Sequence, residues 1–172
     1  MIEFAIKQVI ELGRSWLDAR SKNLAEQKAE LDNAHTGYFA AATEMHKLAA
    51  SCISALEQRR INPETVRKLK EIRVKGLPSR HSIITQGVTQ SGMQESDQRA
   101  NYIKAVLETF TDDLTGQSTY AEKLIEAIEG VRESDRWGTS IKTAQGIEKR
   151  IVENMRLAAR EYESLKASES PN

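Results

Sequence analysis

A single cysteine, Cys52, in a chain of 172 residues excludes an internal disulfide framework and a four-cysteine zinc site. It suits a reducing compartment. Three prolines and nine glycines are too few for a collagenous or broadly disordered chain. Aromatic residues are only 5% of the total, so alanine and the branched aliphatics must build most of any core. No apolar run approaches the ~20 residues that a membrane-spanning helix needs. Glu3, Lys7, Glu11, Arg14 and Asp18 interrupt the first twenty residues at near-helical intervals. They leave no apolar stretch of the ~7–15 residues that a signal peptide carries. The expectation is a soluble, cytoplasmic protein, with peripheral membrane association left open.

Recognisable chemistry is also scarce. There is no Gly-x-x-x-x-Gly-Lys-Ser/Thr loop, no Gly-x-Ser-x-Gly elbow and no His-Glu-x-x-His helix. The three histidines are His35, His46 and His81. His35 and His46 are about three helical turns apart, too far to share one ion. Asp32 and His35 stand three residues apart and could meet on one ion. A di-iron bundle site, however, needs two Glu-x-x-His pairs and two further carboxylates. Glu122, Glu126, Glu129 and Glu133 form an acidic stripe without a matching pair elsewhere, so it reads as a solvated face. Cys52 falls at a core-like position, which makes it filler rather than a nucleophile. No catalytic residue, metal ligand, cofactor or small-molecule substrate is predicted, and the chain is not expected to be an enzyme.

What the chain does have is periodicity. Ile10, Leu17, Leu24, Leu31, Tyr38, Met45 and Cys52 fall seven apart, and Ala34, Ala41, Leu48 and Ala55 follow the last four by three. Such heptads in one phase predict a long N-terminal helix over residues 2–58, packed along its length. Asp32, Asn33, Thr36 and Gly37 are poor helix-interior residues, yet the heptad phase survives across them, which favours a continuous or merely kinked helix over a break into two. Asn62-Pro63-Glu64 is a helix start, with Gly76 as its stop and Pro78 barring resumption. This predicts a short helix over 63–75 with Val66, Leu69 and Ile72 on its apolar side. Residues 79–96 are polar and glycine-containing and read as a long mobile loop.

A second helical region starts near Asp97, with Ile103, Val106, Leu107, Phe110 and Leu114 on one face. Leu124, Ile125, Ile128 and Val131 continue that face after a kink or restart at Thr115-Gly116 and Thr119…Glu122. A break at Ser134–Thr139, around Gly138, precedes a last helix reaching Lys166, and a polar tail covers 167–172. No strand pattern appears. The reading is a single domain over 1–166, all-α: an elongated antiparallel bundle of one long heptad helix, one short basic helix and two long C-terminal helices.

Overall neutrality hides one asymmetry. Residues 59–81 carry eight basic side chains (Arg59, Arg60, Arg67, Lys68, Lys70, Arg73, Lys75, Arg80) against Glu64 and Glu71, a net +6. Two functional expectations follow. The first is a non-catalytic interaction or scaffold protein, self-associating or binding a protein partner through long apolar helix faces. Ile10, Leu17, Leu24, Leu31, Tyr38 and Met45 form its packing stripe. The second is a polyanion-binding protein that meets nucleic acid or an anionic membrane through the basic helix 63–75. That basic segment could equally meet an acidic protein partner.

Overall fold

The computed structural model describes residues 2–17, 24–72, 98–111 and 119–168. Among these, six helices account for nearly everything: α1 (Ile2–Leu17), α2 (Leu24–Glu57), α3 (Pro63–Glu71), α4 (Gln98–Glu108), α5 (Tyr120–Ser134) and α6 (Trp137–Ser168). The protein is an all-α bundle. The loop expected at 79–96 and the tail beyond Ser168 lie outside the described residues.

The single N-terminal helix of the sequence reading is replaced by two. The Ser15 hydroxyl donates to the Glu30 carboxylate at 2.9 Å, and Gly37 lies against the Gln8 side chain. These contacts pair residues of rising and falling number, so α1 runs antiparallel along α2. Leu17 ends α1 and Leu24 begins α2. They are seven residues apart, so the heptad phase passes unbroken from one helix to the other.

The stretch 32–37, chosen from composition as the weak point, is continuous helix. Its poor helix formers have other work. Thr36 bonds back to the Asp32 carbonyl, the Asp32 carboxylate accepts from α6, and Gly37 lets α1 approach closely.

α2 and α6 form an antiparallel pair. His46 reaches Glu148 at 2.8 Å, and the Tyr162 hydroxyl donates to Asp32 at 2.5 Å. Around this pair the other helices close two four-helix squares. At one end α1 packs on α2 and on α4, and α4 packs on α6. At the other end α3 packs on α2 and on α5, and α5 packs on α6. Both squares therefore share the α2–α6 pair. Each helix buries its stripe on two neighbours, as bundle packing requires. Leu31, Ala34, Tyr38, Ala41, Met45, Leu48, Cys52 and Leu56 are the buried side of α2.

Local signals set the helix ends. Asn62 caps α3 by accepting from the Glu64 and Thr65 amides, with Pro63 as its first residue. The short helix ends at Glu71 with Ile72 as its cap, earlier than the predicted stop at Gly76. Thr119 and Glu122 form a reciprocal capping box at the start of α5. Tyr120 donates to the Phe110 carbonyl at 2.9 Å, so α4 and α5 meet nearly end to end. Between α5 and α6 the break falls inside the expected 134–139, with Asp135 in the left-handed region (φ 55°) making the reversal and Gly138 already inside α6.

Candidate functional site

The chemistry-bearing side chains gather in three places. The first is the square made by α1, α2, α4 and α6. His35 on α2 stacks face to face on Tyr162 of α6, with ring centres 3.8 Å apart and planes within 3°. Its Nδ1 lies 3.0 Å from the Tyr102 hydroxyl of α4. Tyr102 in turn meets the buried Trp16 of α1 edge-on at 6.3 Å. Lys166 sits 3.8 Å from Asp32 and over the Tyr162 ring at 5.2 Å. One turn further along α2, the Tyr38 hydroxyl bonds Thr109 at 2.8 Å, and Thr109 passes its own proton to the Ala105 carbonyl.

Burial governs the titration of this cluster. It pushes the Tyr38 and Tyr102 phenols well above their ordinary range. It pulls the His35 imidazole below its ordinary 6.5, against the opposing pull of Glu163 and Asp32 and with help from Lys166. The Asp32–His35 pair weighed as a metal pair is thus spent on hydrogen bonding and ring stacking. Among the described residues no group of three metal-capable side chains occurs. The aromatic–histidine cluster itself escaped the sequence reading. Its members come from four helices, and the heptad stripe that includes Tyr38 carries no sign of which side chains the other helices bring to it.

The second place is the α2–α3 corner, where part of the basic segment lies. Arg59 adopts a left-handed conformation (φ 57°) and lies over the Trp137 ring at 5.4 Å. Arg67 pairs with both Glu64 (2.6 Å) and Glu71 on its own helix. Those hydrogen bonds hold its guanidinium above, and the Glu64 carboxyl below, the ordinary values. Arg67 is thereby neutralised locally. Arg60 bonds Gln58 and lines an open depression of about 360 Å³ with Ser51, Ser54, Ala55, Ile61, Asn62 and Pro63. Lys68 and Lys70 are exposed, with no ion pair among the described residues. Arg73, Lys75, Arg80 and His81 lie outside the described residues. Cys52 is buried beneath this corner, and burial lifts its thiol to about 11.

The third place is the outer surface of α1 and α2. Ile10, Leu31, Tyr38 and Met45 of the predicted stripe are buried within one copy of the chain, and the side chains of Leu17 and Leu24 lie outside the description. What α1 and α2 leave in solvent is Phe4, 71% exposed, and Phe39, 55% exposed. The Ser15–Glu30 and Gln8–Gly37 contacts fix the register of the two helices. That register sets Phe4 level with residue 41, about 3 Å of helix rise from Phe39. Two large aromatics therefore stand at one height of the bundle but on different faces, since Phe39 is two residues, about 200° of helix, from Gly37 where α1 packs. No family model, no curated protein and no solved structure matches the chain.

Proposed function

We propose that the chain is a non-catalytic helical-bundle interaction protein that self-associates through its exposed apolar side chains, Phe4 of α1 and Phe39 of α2. The observation behind this reading is the exposure of those two rings at one height, while every other large apolar side chain of the described core is at least partly buried. Single exposed apolar residues are ordinary, but aromatic side chains are enriched at interfaces, and these two are the large apolar ones left exposed among the described residues. A second copy is the favoured occupant because the chain carries 25 basic and 25 acidic residues. With no net charge, two copies meet no overall repulsion. Ile10, Leu31, Tyr38 and Met45 of the wider stripe are buried inside the fold, which leaves Phe4 and Phe39 as the exposed apolar anchors among the described residues.

Sedimentation velocity tests it. The wild-type chain should sediment as a dimer or larger species. The Phe4→Ser, Phe39→Ser double variant should sediment as a monomer of unchanged helicity. A wild-type monomer across the micromolar range overturns the reading.

A second reading has its own support. Arg60 lines the α2–α3 depression, and Lys68 and Lys70 are exposed on α3, all three free of ion pairs among the described residues. A polyanion, nucleic acid or anionic bilayer, would engage them through phosphate contacts that weaken steeply with salt. The internal pairing of Arg67 reduces that attraction. Titration against duplex DNA, RNA and anionic liposomes at low and physiological salt separates the two. Salt-sensitive binding favours the second reading, and no binding at low salt removes it.

A further inference from the structure

We propose that His35 is an acid-sensitive latch closing the α1–α2–α4–α6 end of the bundle, and that its protonation releases α4 and α6 from α2 and uncovers the apolar side of α1. The argument begins with proton bookkeeping. The Tyr102 side chain is fully buried, and His35 is the one hydrogen-bond partner seen for its hydroxyl among the described residues. For that O–H to find an acceptor, Nδ1 of His35 must be unprotonated and the ring proton must sit on Nε2. Adding a second proton places N–H on Nδ1. The imidazolium then donates to the Tyr102 oxygen, and the Tyr102 proton is left in the core with no acceptor.

The same ring lies flat on Tyr162, whose hydroxyl is anchored to Asp32. One imidazole therefore joins α2 to α4 on one side and to α6 on the other. Through Tyr102 and its edge contact with Trp16, α1 belongs to the same cluster. A charged ring is stabilised by solvation, and this one, partly buried between α2, α4 and α6, gains more of it as these helices part.

The charged and titratable groups facing His35 are Asp32 and Tyr38 on α2, Tyr102 on α4, and Tyr162, Glu163 and Lys166 on α6. Glu163 and Asp32 favour the imidazolium, and Lys166 and burial oppose it. Burial is the largest of these influences, so the ring is held neutral in the fold below its ordinary 6.5. A folded-state value below the unfolded one means that the unfolded chain takes up the proton first. Stability from this group is complete above the unfolded value of about 6.5 and is lost as pH falls toward the folded one.

The experiment follows the purified full chain from about pH 7.5 to about pH 5, above the range where carboxylates ordinarily titrate. Dye binding to exposed apolar surface, thermal midpoint and the His35 ring-proton shifts are read together. In the wild type, dye binding should rise, and the folding equilibrium constant should fall by up to about tenfold per pH unit. His35→Gln should flatten both responses. Full acid sensitivity retained in His35→Gln overturns the latch, as does a His35 ring that titrates at or above 6.5 in the folded protein. Should His35→Gln fail to fold, the ring titration of the wild-type chain decides alone.

Discussion

At the scale of single residues, the Tyr38–Thr109 contact shows how direction decides the cost of a lost hydrogen bond. Thr109 donates to the Ala105 carbonyl, so at the 2.8 Å contact it accepts from Tyr38. Tyr38→Phe removes the donor and leaves Thr109 with its own acceptor. The loss should be about 1 kcal/mol. Thr109→Val keeps the shape but strands the buried Tyr38 hydroxyl, which should cost about 1–3 kcal/mol. Urea unfolding of both variants orders them. If Tyr38→Phe proves the costlier, the donor assignment is wrong. None of this was legible from composition. Tyr38 was placed inward by its heptad position, but nothing in the sequence says that a threonine 71 residues later receives its proton. Asp32 and His35 make the same point. Their spacing was visible, and their partners Tyr102, Tyr162 and Lys166 were not.

At the scale of elements, the ends that were legible are those written by side chains acting within a few residues. Asn62 and Pro63 start α3, and the Thr119–Glu122 box starts α5, both where the sequence set them. Asn62→Ala should cost about 1 kcal/mol, because the Glu64 and Thr65 amides lose their acceptor at 3.0 and 3.4 Å. Chemical denaturation with far-UV circular dichroism measures this, and an unchanged midpoint would show that the cap is idle. The reversal between α1 and α2 was illegible for a specific reason. A heptad pattern records which residues are buried and is indifferent to whether the chain turns between them. The glycine and polar residues at 32–37 were a weak point by composition, and the heptad phase that survives across them was the better guide to the continuous helix. Helix propensity is a weak prior, and here the close approach of Gln8 to Gly37 and the Tyr162 bond to Asp32 outweigh it.

At the scale of the whole molecule, the two four-helix squares share α2 and α6 as unbroken helices of 34 and 32 residues. Neither square can lose its packing without exposing part of the same two helices, so the ends should unfold together. The two tryptophans make this measurable. Trp16 is buried in the α1 end, and Trp137 lies at the start of α6 under Arg59, beside the α2–α3 corner. Trp137→Phe leaves Trp16 as the sole emitter, and Trp16→Phe leaves Trp137. At neutral pH each variant should show one fluorescence transition that coincides with its own loss of helicity, the mark of two-state unfolding. A Trp16 transition that precedes the loss of helicity at neutral pH would mean that the α1–α4 end is an independent unit and that the shared pair does not couple the squares. Repeated near pH 5, the same comparison addresses the latch. There the Trp16 signal should move ahead of Trp137, because the acid-sensitive imidazole lies at one end of the shared pair only.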